Sequence, residues 1–570
     1  MGAGSRVAIR LSMDLTDSRK LKNPALYIVA LSALVGTPAC NSLSDDEEGW
    51  SANGTTRASA GGSGGPFASL DGGVAPNPNV AHNPSDVSNK PVPVPSATSV
   101  RTNPFVLASH DPFSTFAIDV DTASYDIFRR DVNLNRLPQQ SQVRLEEFVN
   151  AFAYDYPIPS AVSPTPFAVG IAAAVSPFAS GITLLRVNVQ GKAVPALEKK
   201  PTNLVYLIDV SGSMNSSDKI GLVKQVVRQS LDLLAPTDKV SIVTYAGTTA
   251  VRLPPTPASE KASVRRIVDS LVADGGTAGG SGIMLAYEQA QGAFIPDGIN
   301  HVLLCTDGDF NLGISNTDEL VKLIENKRRT GITLTALGFG ADNLNDEMME
   351  RVSNAGNGIY AVISNEAQAA TYVRDSLLST IVHIAKDVKI QVEFNPALVT
   401  AYRLLGYENR DIADVNFRND RVDAGEIGAG LRVTALYELT LAGANVPTSV
   451  GAPATRSGPP VPGLREIPAS DLAMIKVRYK APGAMETDPA QEVAGHLTTD
   501  AVVQTLAAAD MNLQWAAAVG AFAEILRGSP FANRAILPQI EAVVEGQKGR
   551  DAGRGEFAAL FAKAKVLLPK

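Results

Sequence analysis

Leu204-Val-Tyr-Leu-Ile-Asp-Val-Ser-Gly-Ser213 decides the fold. Its first five residues are wholly apolar, the pattern of a short strand covered on both faces rather than one. The run ends on Asp209, and Ser211 and Ser213 follow at alternate positions. Apolar residues at 220, 223, 227, 231 and 234 then mark one helix face. Outward from there the alternation repeats. Strands are predicted over 240–245, 302–305, 332–337 and 359–363, and helices over 281–291, 318–329 and 346–353. Repeated strand–helix units from 201 to 383 predict an α/β body, a doubly wound, mostly parallel sheet with helices on both faces. Ligands of such sheets gather at the carboxyl ends of the strands.

Three of those ends carry hard oxygen donors: Asp209-Val-Ser211-Gly-Ser213, Gly275-Gly-Thr277-Ala-Gly279 and Thr306-Asp307-Gly308. Alternation puts Asp209, Ser211 and Ser213 on one side of an extended turn, and the glycines allow close backbone approach. Hydroxyls and carboxylates without sulfur or imidazole suit Mg²⁺ or Mn²⁺ rather than zinc. The three-part set resembles the metal-ion-dependent adhesion site of von Willebrand factor A (vWA) domains, and the resemblance covers about 203–383. It implies that Ser211, Ser213 and Thr277 bind the metal through hydroxyls. Asp209 and Asp307 would bind directly or through water.

The 570 residues exceed one hydrophobic core, so two or three folded units are expected. A net charge of -8 with no basic face excludes a nucleic-acid binder. Two cysteines, Cys40 and Cys305, exclude a disulfide framework, and five scattered histidines make no zinc spacing. Lys20 and Lys22 before the apolar run 25–35 form an export signal too short to span a bilayer. Ending at Cys40, the signal at 1–40 resembles that of bacterial lipoproteins, which implies a lipidated Cys40 and a membrane anchor in the cell envelope. The alternative is a plain secretory signal with an incidental cysteine, and either Met1 or Met13 is the start. The acidic, then Gly-rich, then Pro-rich stretch 41–110 reads as a disordered tether.

A small N-terminal domain is expected over 111–200, with a strand and turn at 116–125, a helix at 143–152 and a strand at 183–189. A β-rich α+β domain is expected over 384–570. Its strands fall at 388–394, 402–405, 433–439 and 474–479, and its helices at 498–509, 513–526, 534–545 and 556–568. The segments Phe116–Ser124, Asp155-Tyr-Pro157, Thr306-Asp-Gly-Asp-Phe-Asn311, Gly406-Tyr-Glu-Asn-Arg410 and 423–430 resemble a subfamily of bacterial vWA lipoproteins with a C-terminal domain of unknown function.

Other signals have plainer readings. Asp119-Val-Asp121-Thr122 sits one threonine out of step with a phosphatase nucleophile motif and reads as a turn-stabilising acidic pair. Glu146-Glu147 reads as a solvated helix face, Arg129-Arg130 as partners of nearby carboxylates, Cys305 as a buried inert thiol, and Gly425, Gly428 and Gly430 as turns. No base or nucleophile stands beside the metal oxygens, so a binding module is expected rather than an enzyme. A partner's Asp or Glu side chain would complete the metal's coordination. A metal-assisted phosphohydrolase and a scaffold with a purely structural metal are the alternatives.

Overall fold

The structure, a computed structural model, describes residues 102–569 apart from 161, 196–198, 277–279, 309–316, 341–343, 423, 461–464 and 486–487. The export signal, Cys40 and the tether to residue 101 lie outside the described residues. Residues 102–110, expected as tether, are ordered: Val106–Leu107 is a strand paired with Val399–Leu405.

The central body is a six-stranded sheet: the sequence predicts its five parallel strands, and Thr249–Pro257 adds an antiparallel edge strand that it does not. Its order is Tyr360–Ile363, Thr333–Phe339, Ile299–Thr306, Thr202–Asp209, Lys239–Tyr245 and Thr249–Pro257. All neighbours are parallel except the last pair. The apolar run 204–208 splits its side chains between two cores. Leu204, Tyr206 and Ile208 meet the helices Leu222–Ser230 and Lys261–Ser270 on one face. Val205 and Leu207 meet Ile283, Tyr287, Leu320 and Val352 on the other. Burying each such side chain contributes about 1.5–3 kcal/mol, which is why no polar residue interrupts the run.

Both edges of this sheet are protected. The antiparallel edge strand carries Pro254, Pro255 and Pro257, which cannot donate to another chain. The opposite edge, Tyr360–Ile363, is covered by residues far away in sequence. The Tyr360 amide donates to Asp121 Oδ1 at 2.8 Å, and the helix Ala123–Asn133 lays Ala123 and Ile127 into the same core.

The flanking segments differ from the expected pair of separate units, because they share sheets. One six-stranded sheet runs Val106–Leu107, Val399–Leu405, Arg432–Leu441, Ile182–Gly191, Phe167–Val175 and Val502–Val503. The second contains Gly425–Gly428, His383–Phe394, Asp471–Lys480 and Gln491–Thr498, with Phe113–Ala117 paired to His383–Phe394. The two sheets enclose Val187, Val189, Ile390, Val392, Val433 and Ile475. On the outer face of the first sheet lies a helical layer built round Phe128, Phe148, Trp515, Phe522 and Phe557. The helices Met511–Leu526, Leu537–Gln547 and Ala552–Leu567 match expectation. The helix expected at 498–509 does not form, since Val502–Val503 pairs with the edge at Ala173–Ala174 and only 3₁₀ turns flank it.

Candidate metal centre

Asp209 ends the strand Thr202–Asp209 and is completely buried. Its carboxylate is held from two sides: the Ser211 amide donates to Oδ1 at 2.9 Å, and Thr306 Oγ1 donates to Oδ2 at 3.0 Å. The turn after it brings Ser211 Oγ and Ser213 Oγ 2.9 Å apart, with Ser211 buried and Ser213 exposed. The neighbouring strand Ile299–Thr306 pairs Cys305 with Ile208, so Asp307 leaves the sheet beside Asp209. The loop before the third donor also arrives, because Gly212 donates to the Gly275 carbonyl at 2.9 Å and Asp274 to that of Val210 at 2.9 Å. Thr277 itself lies outside the described residues. Asp209, Ser211, Ser213 and Asp307 therefore converge at the strand ends as the sequence predicts.

The electrostatics suit a cation. Burial raises the Asp209 carboxyl above its usual range, the Ser211 hydroxyl and amide pull it back, and Asp307 pushes it up again. Asp307 is 1% exposed, and its Oδ1 has no hydrogen-bond donor among the described residues. An acceptor buried without a donor is costly unless something positive meets it. Two crowded carboxylates, two hydroxyls and that unmet oxygen fit a hard divalent cation.

Lys219 was missed by sequence reasoning. It lies in a π-helical turn, Ser217–Gly221, and its Nζ donates to Asp307 Oδ2 at 2.9 Å and to the Ser213 carbonyl at 3.0 Å. Its stem crosses Gly340, where a Cβ would stand 2.6 Å from Lys219 Cε and the backbone φ of +88° favours glycine. Thr306, quoted in the motif only as a neighbour of Asp307, also acts here by fixing Asp209. No local pattern announces either contact.

The plainer sequence readings divide. Cys305 is buried in its strand, where burial pushes the thiol up, and Arg129 pairs with Asp126 at 2.7 Å. Asp119 does stabilise its turn, accepting from the Asp121 amide at 3.0 Å. Glu146 and Glu147 are buried, not solvated, because the central α/β body and the 406–408 turn close over that helix. Gly425 and Gly428 form a strand rather than turns, where a Cβ would stand 2.3 Å from the Ile118 carbonyl oxygen at Gly425.

Three family models match successive stretches of the chain. The von Willebrand factor type A domain model matches residues 203–375, a von Willebrand factor model 96–186, and the model described as Uncharacterized protein YfbK, C-terminal, 379–567. The uncharacterized protein YfbK of Escherichia coli (strain K12) is 38% identical over 466 residues, 80% of this chain and 79% of that one. Among solved structures, a von Willebrand factor type A protein from Catenulispora acidiphila is 17% identical, covering 72% of this chain and 90% of that chain at a TM-score of 0.40. Proximal thread matrix protein 1 from the mussel byssus, described with a zinc-occupied MIDAS motif, is 20% identical, covering 33% of this chain and 46% of that chain at a TM-score of 0.27.

Proposed function

Since the chain belongs to the vWA protein family of Escherichia coli YfbK, we propose that it is a binding protein whose vWA domain holds Mg²⁺ or Mn²⁺ and captures an acidic group of a protein partner. The observation that carries this reading is the convergence of Asp209, Ser211, Ser213 and Asp307 around a buried Asp307 oxygen that no donor meets among the described residues. Ser211 and Ser213 offer neutral oxygens, so the two carboxylates just balance a divalent cation, and the Lys219 ammonium beside Asp307 leaves the site net positive. A cation so held presents a carboxylate-binding position in a protein whose net charge of -8 otherwise repels carboxylates. Ser213 is exposed, which is where a partner's Asp or Glu reaches the site. Lys219 adds positive charge on the same rim.

Among the described residues no histidine stands within hydrogen-bond reach of Ser211 or Ser213, and the carboxylate that reaches Ser211 is Asp209, already held by the Ser211 amide and Thr306, which favours binding over hydrolysis. A thermal-shift titration with Mn²⁺ tests the site. The wild type is expected to melt higher with metal, and Asp209→Ala to lose that gain while keeping its fold, because the residue sits at the rim of the sheet. Equal shifts in the two proteins would remove Asp209 from the ligand set.

Anchoring in the cell envelope through a lipid on Cys40 is part of the same reading, since it would hold a binding domain at a surface. Intact-mass analysis of the native protein is expected to show loss of residues 1–39 and an acylated Cys40; an unmodified Cys40 would end that idea.

A further inference from the structure

Three buried carboxylates meet at a place remote in sequence from the adhesion-type site. Asp119 and Asp121 lie on the turn between the strand Phe113–Ala117 and the helix Ala123–Asn133, and Glu350 lies on the helix Asp346–Ala355 of the vWA body. One oxygen from each falls within 4.8 Å of the other two. Two opposed Ca²⁺–O bonds span about 4.6–5.2 Å, so a single ion reaches all three.

The hydrogen bonds around this cluster leave two oxygens over. Asp119 is satisfied by the Asp121 amide at 3.0 Å and by Arg410 Nε at 3.0 Å. Asp121 Oδ1 accepts from the Tyr360 amide, and Glu350 Oε1 accepts from Asn354 Nδ2 at 3.1 Å and Asn409 Nδ2 at 3.0 Å. Asp121 Oδ2 and Glu350 Oε2 have no donor among the described residues, although Asp121 is 1% exposed and Glu350 6%. Guanidinium groups reach them as ion pairs at longer range: Arg410 Nη2 lies 3.5 Å from Asp121 Oδ2 and 3.8 Å from Glu350 Oε1, and Arg144 Nη2 lies 3.9 Å from Glu350 Oε2. Charge is left over as well. Glu147 and Asp346 join the three, so five carboxylates face the two guanidinium groups of Arg144 and Arg410. Burial and the neighbouring carboxylates both oppose the charged form of Asp121.

A cavity of about 230 Å³, lined in part by Asp119, Asp121, Asn354, Asn409 and Arg410, adjoins the cluster. It has room for waters to complete a coordination sphere. We propose that Asp119, Asp121 and Glu350 bind a calcium ion that ties the N-terminal segment to the vWA body. Carboxylate and water oxygens, with no sulfur or imidazole, are the donors calcium takes. An ion here relieves the surplus charge and holds the turn that caps the sheet edge at Tyr360.

The test is isothermal titration of the chelator-stripped full chain with Ca²⁺, in the wild type and in Asp209→Ala, which removes the other site. Asp209→Ala is expected to bind one Ca²⁺, and adding Asp121→Asn or Glu350→Gln should weaken that binding more than tenfold. Both amides keep the side-chain shape and remove surplus negative charge. The stripped double variants should therefore melt no lower than stripped Asp209→Ala, which separates lost binding from lost folding. No Ca²⁺ bound by Asp209→Ala, or binding indifferent to both amide substitutions, would overturn the proposal and leave protons as what relieves the cluster. Metal binding by the wild type alone would overturn it too, while sparing the adhesion-type site. Metal binding by Asp209→Ala equal in stoichiometry to the wild type would count against that site and for this one.

Discussion

Lys219 is expected to set the metal affinity proposed for the vWA site. Its ammonium is 2.9 Å from Asp307 Oδ2, on a side chain only 14% exposed, so a divalent ion bound by Asp307 meets a like charge poorly screened by water. The same ammonium keeps Asp307 partly compensated while no metal is bound. Lys219→Met keeps the apolar stem over Gly340 and removes the charge. It is expected to tighten Mn²⁺ binding by about tenfold, roughly 1.4 kcal/mol, read from thermal-shift titrations of the two proteins. Weaker binding in the variant would mean instead that the ammonium is needed to orient Asp307. Asp209, Ser211, Ser213 and Asp307 were legible in the sequence because strand ends in a doubly wound sheet converge by construction. Lys219 was not, since its role depends on a π-helical turn that turns the side chain back toward the strand ends.

Elements whose core is local were legible too. The central strands announce themselves because both their faces are buried within one body. Elements completed by distant sequence were not. The helix Ala123–Asn133 follows an acidic turn and was read only as a turn; its apolar face is matched by the vWA body and by Phe557. The helix Leu145–Asn150 shows the reverse error. Its apolar spacing left Glu146 and Glu147 for solvent, yet both are buried. Burial, Glu408 and Asp119 lift the Glu146 carboxyl from 4.5 to about 8. A raised carboxyl favours the protonated folded state, so its stabilisation is full below pH 4.5 and is lost as pH rises through about 8. The buried His301 and His383, lowered from 6.5 to about 3 and about 4, act with the opposite sign, but only below pH 6.5. Between pH 6.5 and 8 stability is therefore expected to fall, by at most about 1.4 kcal/mol per pH unit for one proton. Urea denaturation at both pH values, in chelator, checks this. Glu146→Gln should flatten the slope, leaving what Glu147, Asp121 and the other buried carboxyls shifted the same way contribute. An unchanged slope would assign it to other groups.

At the scale of the whole molecule, the family boundaries near 203 and 379 do not mark three independent bodies. The vWA domain keeps every strand of its sheet and one apolar face largely within its own sequence, and takes Ala123 and Ile127 into the other face from the N-terminal segment. From the same segment it takes the cap on Tyr360–Ile363, where Asp121 and Asp126 accept from edge amides. Cut out alone it should fold, weakened by about 1–3 kcal/mol for the amides left without a partner. The C-terminal part is in a different position. Its strand Arg432–Leu441 pairs over its whole length with Ile182–Gly191, and His383–Phe394 pairs with Phe113–Ala117. Trp515 and Phe557 pack against Phe152, and Phe557 also against Tyr125. Without residues 102–191 two strands lose partners in mid-sheet, and a helical layer loses its aromatic centre, where each buried ring removed costs about 3–5 kcal/mol. Such losses exceed the roughly 5–15 kcal/mol that holds a domain folded. Residues 379–567 expressed alone are therefore expected to aggregate or to melt without cooperativity in circular dichroism, and to recover a cooperative transition when co-expressed with 102–191. A cooperative native-like melt from 379–567 alone would show that the shared sheets are a docking of two finished domains.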